Sequence, residues 1–253
     1  MTVGAGVGAP VRVGGPRDSW DAVLARLAGE GVALVHARTG AWAPDERDQR
    51  GLRRLLGGEW ERYRSLAPPM VRRDFAASRL FLKTAVGRVA GVAPERVEIV
   101  RRPGGRPRVR GCGGIDVNLS HTAPGVMVVG LTGAGRVGVD VERADRPVAG
   151  TGLAREVCTP YELDRLAAMP VDRRDAALVR WWVLKEAYTK AIGLGLAFPF
   201  DRCGFGTDSP PRLLRPDGSP AASPGWEFGV HPVGGTHVAG VALCRSVPGR
   251  GGD

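Results

Sequence analysis

Asp140-Val141-Glu142 sets two carboxylates two residues apart in a strand-like stretch. Alternate residues of a strand share a face, so both acids point the same way with Val141 behind them. Neighbouring carboxylates repel unless a proton or a cation lies between them, and oxygen donors favour magnesium. A solvated acidic face on an edge strand would carry the same residues. Further along, Trp182-Val183-Leu184-Lys185-Glu186-Ala187-Tyr188-Thr189-Lys190 puts Glu186 and Lys190 four apart, neighbours on one helix face. A surface Glu–Lys pair has that spacing too. Trp181 and Trp182 nevertheless mark a deeply packed helix, where a carboxylate and an amine need a reason. Asn118-Leu119-Ser120-His121-Thr122 closes a strand with hydroxyls and an imidazole, and a strand-end turn of this kind can hold a phosphate; an ordinary turn histidine is the plainer account. Gly104-Gly105-Arg106-Pro107 adds a guanidinium on a glycine hinge.

The elements that must position these groups follow from hydrophobic period. Helices are expected at 18–29, 71–89, 151–157, 160–168 and 173–192. The last fits best: Leu178, Trp181, Trp182, Leu184 and Tyr188 give a broad apolar surface, and Gly193 ends it. Strands are expected at 32–36, 97–100, 115–119, 126–131, 137–141, 226–230 and 237–243, with 102–114 as a Gly/Pro/Arg loop. Helices plus antiparallel strands in each half make an α+β plan with a seam near residue 134. The expected layout is a mobile tail over 1–16, an N-terminal half over 17–134, a C-terminal half over 135–247 carrying the acidic residues, and a disordered tail over 248–253.

The chain has 253 residues, 43% of them hydrophobic and 25% charged, which describes an ordinary globular protein. No apolar run approaches the roughly 20 residues of a membrane-spanning helix, and the first residues lack a secretory signal. Cys112, Cys158, Cys203 and Cys244 are scattered without metal-ligand spacing and read as reduced thiols, so a cytoplasmic location is expected. Net charge is +10, yet only three of the 36 basic residues are lysines: Lys83, Lys185 and Lys190. The arginine excess accompanies 38 glycines and 20 prolines, as a GC-rich coding sequence would give. A lysine retained against that habit points to a place that wants a compact point charge. Nucleic-acid binding would call for aromatics interleaved with the basic residues, but aromatics are 6% and concentrate in the expected core.

Together these segments resemble the 4′-phosphopantetheinyl transferase signature. Val137-Gly138-Val139-Asp140-Val141-Glu142 matches its Val/Ile-Gly-Val/Ile-Asp element, and Trp182-x-x-Lys185-Glu186-Ala187-x-x-Lys190 its Lys-Glu element, with Glu186 lying 46 positions after Asp140. Asn118–Thr122 is similar to the family's Asn-Ile/Leu-Ser-His-Ser/Thr element, Gly105-Arg106-Pro107 to its Gly-Lys/Arg-Pro element, and Thr159-Pro160-Tyr161-Glu162 to its helix start between the main motifs. The resemblance runs from about Arg72 to Phe205; the N-terminal 60 residues carry no aligned motif.

The resemblance implies two similar α+β halves related by pseudo-twofold symmetry, as in the larger, monomeric Sfp-type branch. It implies transfer of the 4′-phosphopantetheine arm of coenzyme A to a serine of an apo acyl or peptidyl carrier protein, releasing adenosine 3′,5′-bisphosphate. Asp140, Glu142 and Glu186 would ligate Mg²⁺. Glu186 would be the general base and Lys190 would neutralise leaving-phosphate charge. Arg73, Arg106, Ser120 and His121 would hold the 3′-phosphate and adenosine. Carrier proteins of this kind are acidic, which suits the net charge. The runner-up is a coenzyme A- or carrier-binding protein without turnover; neither nucleic acid nor membrane is an expected partner.

Overall fold

The computed structural model describes residues 7–101, 105–111, 114–123 and 125–245. The expected C-terminal tail at 248–253, and Gly104 and Cys112, lie outside the described residues. The chain divides into two compact units: Pro10–Gly133, and Ala134–Asp253 together with the segment up to Ala9.

In chain order the first unit comprises β1 (Val11–Arg12), α1 (Asp21–Glu30), β2 (Val32–Arg38), α2 (Gln49–Leu56), α3 (Trp60–Ser65), α4 (Pro69–Ala90), β3 (Glu98–Arg101), β4 (Pro107–Arg110), β5 (Asp116–Thr122) and β6 (Val126–Thr132). Its main sheet runs β1-β2-β6-β5, with β3 and β4 a separate antiparallel pair. The helix α4 and the sheet enclose a core centred on Trp20, Trp42 and Phe81, the last two with ring centroids 4.8 Å apart.

The second unit comprises β7 (Arg136–Arg143), α5 (Leu153–Val157), α6 (Pro160–Ala168), α7 (Val171–Ile192), β8 (Gly204–Phe205), β9 (Leu213–Leu214), β10 (Trp226–Val233) and β11 (His237–Cys244). Its sheet runs β10-β11-β7, both pairings antiparallel. Leu178, Trp181 and Leu184 of α7 pack into a core shared with Phe205 and Phe228. The α+β class holds in both units.

The two units repeat one plan. From β2 in the first and β7 in the second, each runs strand, three helices, a two-stranded pair, and two closing strands, and the order β2-β6-β5 corresponds to β7-β11-β10; β1 and α1 precede the repeat. The long helices α4 and α7 are both 22 residues, and both end at a glycine in the left-handed region, Gly91 and Gly193. Even the buried lysines correspond. Lys83 Nζ donates to the Leu55 carbonyl at 2.5 Å, and Lys185 Nζ to the Val157 carbonyl at 2.6 Å, each across 28 residues.

Two expectations are corrected. Residues 7–16 are not a mobile tail: Val7 and Val13 are buried, and β1 pairs in parallel with β2, Val11 opposite Val35. The short valine-bearing stretches have partners distant in sequence, which local composition does not reveal. The segment 102–114 is not all loop, because Pro107–Arg110 pairs with β3 and buries Val109. Its other β4 side chains stay largely at the surface, so no apolar run advertised a strand. The helices α2 and α3 were not anticipated either; they are short and packed through few residues, Leu52, Leu55, Leu56 and Tyr63. Among the described residues no helix is long and apolar enough to cross a membrane.

One close approach fixes the second unit. A Cβ on Gly138 of β7 would lie 1.9 Å from the Ala187 carbonyl oxygen and 2.6 Å from the Ala191 nitrogen, and one on Gly240 of β11 would lie 2.4 Å from the Val183 carbonyl oxygen. The helix backbone of α7 therefore rests directly on the sheet, and a methyl there meets backbone that cannot step aside. Gly138→Ala should cost about 1–3 kcal/mol or more by overpacking, read as a lower urea midpoint. Gly133→Ala, with nothing within 4 Å of its Cβ position, should be neutral. Equal midpoints for the two variants would contradict this contact.

Candidate active site

The acidic residues sit where β7 faces α7. Gly138, Asp140 and Glu142 alternate with the buried Val137, Val139 and Val141, so the valines anchor one face while the other meets the helix. β7 is an edge strand of its sheet, but Asp140 is only 7% exposed because α7 covers it. From α7, Glu186 and Lys190 project onto that face one turn apart. The Lys190 ammonium lies 2.6 Å from Asp140 Oδ1 and 3.7 Å from Glu186 Oε2. Two carboxylates remote in sequence thus converge on one cation. Lys190 also lies in the last turn of α7, where positive charge is favoured by the helix dipole.

Glu142 stands one strand repeat beyond Asp140. Its Oε2 is 2.5 Å from Arg146 Nη1, and its Oε1 accepts the Arg143 backbone N–H at 3.0 Å. Arg146 was not singled out from the sequence, although its separation of four from Glu142 across a turn was a usable signal.

Burial sets the proton affinities. Burial raises the Glu186 carboxyl above the ordinary carboxylate range; Lys190 opposes the shift and the Asp140 charge adds to it. Burial pulls the Lys190 ammonium down, but Asp140 and Glu186 outweigh it, so the net shift is upward and the group stays charged. A carboxylate with raised proton affinity beside a firmly held ammonium is a competent proton acceptor.

What holds this helix is a second charged pair with no surface at all. Lys185 and Glu162 are both fully buried, with Nζ and Oε2 2.5 Å apart. Lys185 also donates to the carbonyls of Val157 and Phe200, at 2.6 and 3.0 Å. Glu162 accepts the backbone N–H groups of Thr159 and Phe205, at 2.8 and 2.9 Å, and closes a capping box at the start of α6. The pair locks α7 to α5, α6 and β8. The Thr159-x-x-Glu162 spacing was legible as a helix start, but not as the counter-ion of Lys185. Cys158 and Cys203 lie in the same interior as free thiols, pushed by burial up to about 12 and about 11 respectively, and so are poor nucleophiles.

The donor chemistry can be tested against a divalent ion. The side chains are all carboxylates, two of them already drawn to a shared positive charge, with a third on the same strand face. That oxygen-only set suits a hard cation such as Mg²⁺. Among the described residues no three such side chains stand gathered as a ready-made cluster, since Lys190 and Arg146 supply the positive charge instead.

The residues expected to hold a nucleotide lie in the first unit. Of the arginines on α4, Arg72 donates to the Leu66 carbonyl at 3.0 Å, and Arg79 is buried against Glu59 at 2.7 Å and over the Phe75 ring at 4.3 Å. Arg73 is exposed. Arg106 is ion-paired with Asp116 at the start of β5, a partner the sequence did not suggest. Ser120 is buried and His121 exposed, because successive residues of β5 point to opposite faces.

Residues 136–242, which span both acidic positions and α7, match the model of the 4′-phosphopantetheinyl transferase superfamily. A phosphopantetheinyl transferase of Thraustochytrium sp. is 28% identical over 220 residues, covering 81% of this chain and 76% of that one. The 4′-phosphopantetheinyl transferase HetI of Nostoc sp. is 31% identical over 133 residues, covering 51% of this chain and 55% of its own length. Among solved structures, the holo-[acyl-carrier-protein] synthase of Thermotoga maritima is 19% identical with a TM-score of 0.35, over 45% of this chain and 65% of that one. The acidic strand and the Lys-Glu helix both lie inside the matched region, and over it the chain is similar to the 4′-phosphopantetheinyl transferases.

Proposed function

We propose that this enzyme moves the 4′-phosphopantetheine arm of coenzyme A onto a serine hydroxyl of an apo acyl or peptidyl carrier protein, in a Mg²⁺-dependent reaction that releases adenosine 3′,5′-bisphosphate. The observation that carries the reading is the convergence of Asp140 and Glu186 on Lys190, in the motif that the transferases share. Glu186 takes the serine proton, directly or through a water, and its raised proton affinity suits that task. The serine oxygen bonds to the phosphorus that bears the pantetheine arm, and the bond from that phosphorus to the bridging oxygen breaks. Lys190 faces the charge that develops on the departing phosphate. A magnesium ion held by Asp140, Glu142 and Glu186 would supply Lewis-acid neutralisation of the pyrophosphate. Arg73, Arg106, Ser120 and His121 are assigned to the 3′-phosphate and adenosine, and in the first turns of α4 Arg73 is exposed while Arg72 and Arg79 are engaged with Leu66 and Glu59.

The repeated plan of the two units supports the larger, monomeric branch of the family. The test is direct: incubate the protein with coenzyme A, Mg²⁺ and a panel of apo carrier proteins, then read intact masses. Addition of one phosphopantetheine per carrier, lost on omitting Mg²⁺, is the expected result. A broad panel left unmodified would replace transfer with coenzyme A binding alone.

A further inference from the structure

The carboxylates on β7 and α7 already face cations of the chain itself. Lys190 lies against Asp140 and Glu186, while Arg146 lies against Glu142 Oε2 at 2.5 Å; Glu142 Oε1 accepts the Arg143 N–H at 3.0 Å. To join the other two acids on a divalent ion, Glu142 must exchange a guanidinium for the metal. The two cations differ in how readily they let go. Lys190 sits between two acids with 26% of its side chain exposed, whereas the Arg146 side chain is 45% exposed and water can take its guanidinium back at little cost.

The placing of Arg146 is specific. A separation of four brings side chains together on a helix, but Arg146 lies in the turn that follows β7, where no helical period does so. The turn is pinned at both ends: the Ala144 N–H donates to the Thr236 carbonyl at 3.0 Å, and the Val148 and Ala149 N–H groups both donate to Asp175 Oδ1 of α7 at 2.7 Å. Arg143 is nearer to Glu142 in sequence, yet its guanidinium turns to Asp145 and makes two bonds, at 2.9 and 2.7 Å. Of two guanidiniums in one turn, the fold lays that of Arg146 on the acid and sends that of Arg143 elsewhere. The backbone is fixed, and the side chain alone can swing.

We propose that Arg146 is an exchangeable counter-ion: it holds the place of the metal on Glu142 and thereby sets how tightly the site binds a divalent ion. This rests on the assignment of Mg²⁺ to Asp140, Glu142 and Glu186 above. Carboxylates gathered for a metal repel one another in its absence. Arg146 and Lys190 set two positive charges against the three negative ones, so the acids keep their places before the metal arrives. On metal binding, Arg146 gives up Glu142 and swings into solvent. The consequence is a weaker site, because a form competent to bind that is only part of the population lowers the apparent affinity by that fraction.

The test titrates Mg²⁺ alone into the full chain, without coenzyme A, by calorimetry at physiological ionic strength. Arg146→Gln should lower the Kd for Mg²⁺ about threefold to tenfold with the melting temperature unchanged, as removal of a half-exposed competing ion pair implies. Arg143→Gln takes an equal charge from the same turn, but not from the Glu142 carboxylate, and should leave the Kd within about twofold of the parent at this screening. Equal Kd values for the parent and Arg146→Gln would overturn the proposal. So would an equal gain in both Gln variants, which would mean a general field rather than an exchange, or weaker binding in Arg146→Gln, which would make the arginine a brace for Glu142. A parent that binds no Mg²⁺ would remove the metal assignment and this inference with it, a pattern distinct from a parent that binds beside a variant that binds no better.

Discussion

Replacing Glu186 with Gln should all but abolish phosphopantetheine transfer while leaving the fold intact. Gln keeps the size and one carbonyl oxygen, but it cannot take a proton at neutral pH or offer a full negative charge. Loss of a general base typically costs about a hundredfold to ten-thousandfold in rate. Stability should hardly fall. The wild-type carboxylate is buried beside the charge of Asp140, an arrangement that resists ionisation, and a neutral amide relieves it. The measurement is single-turnover transfer to an apo carrier, with thermal melting as the control. Equal rates for parent and variant would remove Glu186 from the chemistry even though the family assignment stood.

Lys185→Met should be the most damaging substitution for stability. It leaves the fully buried Glu162 carboxylate without its counter-ion, and breaking a buried pair from one side costs about 3–5 kcal/mol. Adding Glu162→Gln should recover part of that loss, since the amide oxygen still accepts one of the two backbone N–H groups and no charge is left in the interior. Urea unfolding of both single variants and the double variant gives the coupling energy. Strictly additive losses, or a Lys185→Met midpoint equal to the parent's, would show that the two side chains do not act as a pair.

The site was legible where chemistry is carried by short local patterns. The Asp140-x-Glu142 strand and the Glu186-x-x-x-Lys190 helix could each be placed on a face from period alone. The scarcity of lysine was informative as well. In a chain that otherwise uses arginine, Lys83 and Lys185 are buried point charges on carbonyl oxygens, and Lys190 bridges two carboxylates. The larger planar guanidinium of arginine would not fit such small polar nests. What stayed illegible depends on partners distant in sequence. Glu162 reaches Lys185 across 23 residues, and Arg106 meets Asp116 only because β5 follows the β3–β4 pair closely in space. The N-terminal residues looked like a tail because a two-residue strand has no period to read. Gly138 announced a motif, but only its distance to Ala187 shows that the motif demands glycine on steric grounds.

The allocation of Val7–Ala9 to the second unit has a consequence for synthesis. A Cβ at Gly229 would come within 3.4 Å of the Val7 carbonyl, so Val7 is seated on β10, far along the chain from it. Translation delivers Val7 before any residue of the first unit, yet its seat emerges from the ribosome only after that unit and α7 have been made. The first unit, whose strands end at Thr132, has all its residues in hand long before that. Val7 must wait until β10 has been made before it is buried, so the unit bearing the acidic residues is completed by a segment that precedes the whole of the first unit.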